Sequence, residues 1–92
     1  MTVIYRTAIT NVNAPETTRI IPYLGGTCIH HCPTFYSYRL GPATIELAQH
    51  GGYWSLVVTS STPDGALNGI ARLGYTTDTL TVTPIIDTPA YT

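Results

Sequence analysis

The segment with the clearest chemical potential is Cys28-Ile29-His30-His31-Cys32. Thiolate sulfur and imidazole nitrogen are the donor atoms that zinc prefers in proteins. Cys28, His30, His31 and Cys32 are therefore candidate metal ligands, and zinc is the ion that this set would select.

The spacing of these residues leaves three interpretations open. Structural zinc sites usually take a second, separated pair of ligands, and only His50 lies elsewhere in the chain. A Cys28–Cys32 disulfide would close a very small loop and requires non-helical backbone. The segment therefore holds reduced structural residues, a disulfide or a metal site, the last including one that bridges two subunits.

The aromatic run Phe35-Tyr36-Ser37-Tyr38-Arg39 is the best candidate contact surface. On a strand, Tyr36 and Tyr38 share one face and Arg39 lies on the other. Tyrosine and arginine often dominate binding energy because they bury much area and keep a polar group. We expect Tyr36, Tyr38 and Arg39 to contact a partner; the alternative is that both tyrosines are half-buried sheet residues.

No catalytic signature stands out. The sequence lacks a nucleophile elbow, a phosphate-binding glycine loop, an i,i+4 histidine pair and a close pair of carboxylates. His50 beside Gly51-Gly52 is typical of an exposed turn. We therefore expect a protein that is not an enzyme and has no required cofactor.

Composition points to a surface that is covered by another protein. The 92 residues are enough for one domain, 43% of them are hydrophobic, and only 10% are charged, against about a quarter in typical domains. Lysine is absent and threonine occurs 17 times. So little charge gives weak self-repulsion, which favours an oligomer or a bound partner; the alternative is that the low charge reflects only the composition of the lineage. A net charge of −1 argues against nucleic acid.

The leading hypothesis is a non-enzymatic interaction or assembly module, with a viral or mobile-element protein as one setting suggested by composition. No apolar run approaches membrane-spanning length, and no signal peptide is indicated at the N-terminus. We expect a location in the cytoplasm or a virion, with no membrane partner.

Hydrophobic alternation predicts a β-rich domain. The predicted strands cover residues 2–10, 34–40, 43–49, 53–59 and 79–86. The best-marked helix begins after Ser61 or Thr62, has Pro63 in its first turn and ends at Gly74. Residues following Asn13 and Pro15 form either a short helix or a strand at 18–24.

An internal repeat emerges at an offset of 49 residues. It places Tyr5 on Trp54 and Ile21 on Ile70, together with Ile9-Thr10 on Val58-Thr59 and Leu24-Gly25 on Leu73-Gly74. Two strand–helix–strand halves predict a ferredoxin-like α+β fold with one or two helices on one face of an antiparallel sheet. An all-β sandwich with one helix is the alternative.

Residues 55–82 resemble the opening β–α–β unit of an ACT domain, and most closely that of acetohydroxyacid synthase regulatory subunits. The motifs that carry this resemblance are Asp64-Gly65-Ala66-Leu67, Ile70-Ala71-Arg72-Leu73, Gly74-Tyr75 and Leu80-Thr81-Val82. The resemblance implies a dimerising sensor of small ligands such as amino acids. It also implies that Asp64 and Gly65 bind the ligand near a subunit interface.

Overall fold

The computed structural model describes residues 2–87, which form one antiparallel sheet and two helices. The strands are β1 (Thr2–Thr10), β2 (Thr27–Cys32), β3 (Phe35–Leu40), β4 (Ala43–Gln49), β5 (Trp54–Ser60) and β6 (Thr83–Asp87). The helices are α1 (Ala14–Tyr23) and α2 (Pro63–Arg72). The strand order is β2-β3-β4-β5-β1-β6, so β2 and β6 are the edges. The α+β class is confirmed, and the all-β alternative is wrong.

The segment after β1 is the helix α1 and not a strand at 18–24. The Asn13 side chain accepts a hydrogen bond from the Glu16 N–H at 3.1 Å, which satisfies one free donor of the first turn. Pro15 lies in the first turn, where a missing N–H costs nothing. Pro22 lies in the last turn, and the helix ends one residue later.

The strand–helix pair β1–α1 recurs as β5–α2. Helix α1 begins at Ala14 and α2 at Pro63, 49 residues later, and their last residues Tyr23 and Arg72 differ by the same 49. Each helix is followed by a left-handed glycine, Gly25 with φ 90° and Gly74 with φ 92°. The 49-residue repeat therefore extends to the capping of both helices.

The two halves separate after their helices. β2 begins at Thr27, whereas β6 begins at Thr83, seven residues beyond Thr76, the position that a 49-residue offset matches to Thr27. The strand predicted at 79–86 is wrong over 79–82, which is loop. Leu80 in this loop packs against the core, and its N–H donates to the Thr77 carbonyl. Its alternation therefore reflects burial within a loop.

The core lies between the helices and one face of the sheet. Strand register puts Thr7, Val58, Ile45 and Tyr38 in one row on this face, which we call the covered face. The fully or nearly buried apolar residues are Val12, Ala14, Ile21, Tyr38, Leu40, Ala43, Ile45, Leu47, Leu56, Val58, Ala66, Ile70 and Leu73. The opposite, open face has no described helix across it, and its exposed charged residues include Arg6 and Arg39.

Glycines let α2 lie close to the sheet. A Cβ at Gly69 would approach Val58 Cγ1 to 2.7 Å, and one at Gly65 would clash with the Ser60 hydroxyl. Gly69 thus permits close packing, at a helix-propensity cost of about 1 kcal/mol. The positions 49 residues earlier in α1 are Glu16 and Ile20, whose side chains cannot approach the sheet so closely.

Candidate functional site

The Cys/His segment forms the edge strand β2. This strand pairs with β3 on one side, and its other side has no neighbouring strand among the described residues. The side chains from Thr27 to His31 are exposed, and Cys32 is half-buried. The sequence predicted the ligands but no strand for them, because Cys and His give no apolar alternation.

A bulge at Ile29 divides the four candidate ligands between the two faces. The register shifts between Cys28, opposite Tyr38, and His30, opposite Ser37. Cys28 and His31 therefore lie on the covered face, whereas His30 and Cys32 lie on the open face. The His31 ring packs on Tyr36 at 4.6 Å on the covered face, and the His30 ring lies 5.8 Å from Phe35 on the open face.

One chain does not bring the four ligands together. No three His, Cys, Asp or Glu side chains between residues 2 and 87 lie close enough to hold a metal ion. Cys28 and Cys32 are free thiols. Four residues of strand separate their Cα atoms by about 13 Å, well beyond the reach of a disulfide. His50 instead hydrogen-bonds the Ser55 hydroxyl at 2.7 Å.

The candidate interaction residues do not share one surface. Tyr38 is 7% exposed and belongs to the core. Tyr36 is half-buried and stacks on Trp54, with ring centroids 5.3 Å apart. Burial raises the pKa of the Tyr38 phenol, and the charges of Cys28 and Tyr36 raise it further. Only Arg39 points outward, on the open face.

Asp64 and Gly65 occupy the first turn of α2. The Gly65 N–H donates to the Thr62 hydroxyl at 3.0 Å, and Asp64 is exposed near the positive end of the helix dipole. Gly65, but not Asp64, lines a groove of about 440 Å³ beside the helix. The groove is lined by Leu40, Pro42, Ala43, Gly65, Asn68, Gly69, Ala71 and Arg72.

Arg72 and Asn68 supply side-chain polar groups in this groove. Arg72 Nη2 donates to the Leu24 carbonyl at 3.3 Å, which ties the end of α2 to the end of α1. A volume of this size is in the range of small-ligand pockets. The sequence predicted Gly65 as a site residue but not Asn68 or Arg72. These two residues reach the site only because the fold packs α2 beside the β3–β4 turn.

The edge character of β2 was the main feature that the sequence did not predict. One feature of the sequence could have indicated the edges: the segment 27–32 has no proline and no Lys, Arg, Asp or Glu, whereas the strand at the other edge contains Pro84.

Within the described residues, no helix is long and apolar enough to cross a membrane. No protein-family model matches this chain, and comparison with curated proteins and with solved structures gives no match either.

Proposed function

We propose that this chain is a non-enzymatic interaction module that assembles with a second copy of itself through the edge strand β2. The observation that carries the proposal is an edge strand with five of its six side chains exposed. An edge strand presents backbone N–H and C=O groups on which another strand can pair. Natural edges are protected by proline, by charge or by bulges; β2 contains no proline and no Lys, Arg, Asp or Glu, and its one bulge, at Ile29, leaves the residues from His30 to Cys32 regular.

A second copy is the partner that the chain's charge favours. Two β2 strands related by a two-fold axis pair antiparallel and continue the antiparallel sheet of each copy. The segment 27–32 contains no Lys, Arg, Asp or Glu, so self-pairing places no such like charges opposite each other. The charge-poor composition also weakens repulsion between copies. Composition alone supports the viral setting.

We also infer that the fold is ferredoxin-like with an inserted hairpin. When β3 and β4 are set aside, the remaining strands have the order β6-β1-β5-β2. This order, with a helix after β1 and another after β5, is that of two interlocked βαβ units. The 49-residue repeat supports the inference, because the two units then correspond to the two halves of the chain.

The mass of the protein in solution tests the assembly proposal. The mass is measured by analytical ultracentrifugation on untagged protein, as purified, in reducing buffer without chelator. We expect a two-chain mass for the wild type and a shift toward one chain for His31→Lys. The substitution adds a positive charge to the pairing edge of both copies, and we expect the repulsion to weaken association roughly 10- to 100-fold.

The matched control is Ile85→Lys, which places the same charge on the other edge, where Ile85 is 40% exposed. This variant should keep the mass of the wild type. A wild type that stays monomeric at high concentration would contradict the proposal. Equal loss of association in both variants would also contradict it, since β2 would then have no special role.

The groove beside α2 favours a second candidate function, a module that binds small carboxylates such as amino acids. Its apolar floor ends at the Arg72 guanidinium, a group that pairs well with carboxylates. The ACT resemblance implies a role for Asp64 and Gly65, of which Gly65 lines this groove. A thermal-shift screen of amino acids tests the candidate. We expect stabilisation that Arg72→Leu removes, and no shift with any of them counts against it.

A further inference from the structure

We propose that two copies paired through β2 hold one zinc-type ion between them, with His30 and Cys32 of each copy as its four ligands. This inference rests on the proposed self-assembly through β2. It assigns the site to the open face of the sheet, beside Phe35 and Ser37.

One chain supplies half of such a site. His30 and Cys32 are two residues apart and lie on the same face of β2, where the bulge at Ile29 does not interrupt the strand between them. His30 is exposed and Cys32 half-buried, so both are accessible from the uncovered edge. A structural zinc site needs four ligands. A second copy supplies the missing two.

Register selects which residues meet. A two-fold axis perpendicular to a sheet requires each residue to lie opposite one that points to the same face. An axis through His30 would set Cys32 opposite Cys28 of the second copy, and these two side chains point to opposite faces. An axis through His31 sets His30 opposite Cys32 of the second copy, and both lie on the open face. The bulge therefore favours the second register.

The resulting geometry suits a tetrahedral ion. Side chains directly opposite each other have Cβ atoms about 5 Å apart, and positions i and i+2 are about 7 Å apart along a strand. The four Cβ atoms then form a small rectangle, and the sulfur and imidazole nitrogen atoms of all four side chains can reach an ion above its centre. Two thiolates balance the charge of a divalent cation, so the paired edges gain no net charge.

Cys28 and His31 provide matched controls on the same strand. They have the same residue types but lie on the covered face. In the selected register Cys28 lies beyond the bulge and near the Pro33-Thr34 turn of the second copy, which has no soft donor atom. Cys28→Ser should therefore leave metal binding unchanged, whereas Cys32→Ser removes two of the four ligands from the pair.

Metal titration of the reduced, metal-free protein tests the site. Zn²⁺ or Co²⁺ is added while native mass spectrometry counts ions and chains, and the visible spectrum of Co²⁺ reports tetrahedral thiolate ligation. We expect one ion for two chains. Cys32→Ser and His30→Ala should weaken binding by more than about 100-fold, since losing even an outer-shell partner costs about 10- to 100-fold.

The outcomes separate the two proposals. A two-chain mass without metal uptake would overturn the zinc site and leave self-assembly through β2 in place. A one-chain mass both with and without zinc would overturn self-assembly and the site together. One ion per single chain, or equal loss in Cys28→Ser, would overturn the ligand set. Circular dichroism of each variant checks that the fold is kept.

Discussion

The two halves of the chain begin alike and end differently. β1–α1 and β5–α2 match at an offset of 49 residues, yet the strands that follow form unlike edges of one sheet. β2 follows its helix after three residues, Leu24 to Gly26, and contains no proline, whereas β6 follows a ten-residue loop and contains Pro84. Proline donates no hydrogen bond to a neighbouring strand. The β6 edge therefore lacks one backbone donor at Pro84, whereas no residue of β2 lacks its backbone N–H.

The helices differ in how closely they approach the sheet. Helix α2 lies on β4, β5 and β1 through Gly65 and Gly69. Helix α1 buries Ala14, Thr17 and Ile21 and has no glycine within its span to allow so close an approach. The Thr17 hydroxyl hydrogen-bonds the Tyr75 hydroxyl at 2.6 Å, so a polar contact joins the first helix to the loop of the second half. The second half thus has the tighter packing.

Truncation of the equivalent isoleucines should give the largest effect on stability. Ile21 and Ile70 are both 0% exposed. Ile70→Ala should lower the free energy of unfolding by about 3–5 kcal/mol and Ile21→Ala by about 2–3 kcal/mol. The cost is larger at Ile70 because its closely packed neighbours cannot move in to fill the cavity that the substitution leaves. Urea denaturation measures both, with the exposed Ile29→Ala as a control. A larger loss at Ile21 would reverse the comparison.

A methyl group at Gly69 should also destabilise the second half. Gly69→Ala improves helix propensity by about 1 kcal/mol, but its Cβ would meet the buried Val58 side chain at 2.7 Å. We expect a net loss of about 1–3 kcal/mol in the free energy of unfolding. Asn68→Ala, one residue earlier and exposed, should be neutral or slightly stabilising. A more stable Gly69→Ala would show that α2 can move away from the sheet.

Removal of the proline from β6 should reduce the contrast between the edges. Pro84→Val, made in the His31→Lys background, restores a backbone donor on β6 while β2 is blocked. We expect self-association to rise by about tenfold, or 1.4 kcal/mol, as measured by sedimentation. The His31→Lys protein alone is the reference. Unchanged association would mean that the β6 edge is closed by something other than Pro84.

The smallest effect concerns Tyr38, the core residue next to β2. Because its pKa is raised in the folded state, the unfolded chain ionises first, and stability is lost as the pH rises above about 10. Below that pH the contribution is fully present. When the pH is raised from about 8 to about 10.5, the free energy of unfolding should therefore fall less in Tyr38→Phe than in the wild type. Denaturant unfolding at both pH values measures the difference. Tyr23→Phe, at an 87% exposed residue, is the control and should follow the wild type.

Elements whose signal is local were predicted closely from the sequence. β1 and β4 have the expected bounds, and α2 begins at Pro63 after its Thr62 cap. Alternation and capping depend on neighbouring residues, so a linear reading captures them. Helix α1 was ambiguous because Thr17 favours strands. In the fold Thr17 is buried, and its hydroxyl donates to the Asn13 carbonyl at 2.8 Å, so that its polar group is satisfied inside the core.

The sequence by itself determined the start and cap of α2, the bounds of β1 and β4, and the residue types available for a site, but it left the α+β and all-β classes as alternatives. Only the tertiary structure decided that β2 is an edge, that the bulge at Ile29 separates Cys28 and His31 from His30 and Cys32, and that Tyr38 is buried. The physical reason is that strand order and register depend on contacts between distant segments. A cap needs only its own turn, whereas an edge is defined by which strand lies beside it.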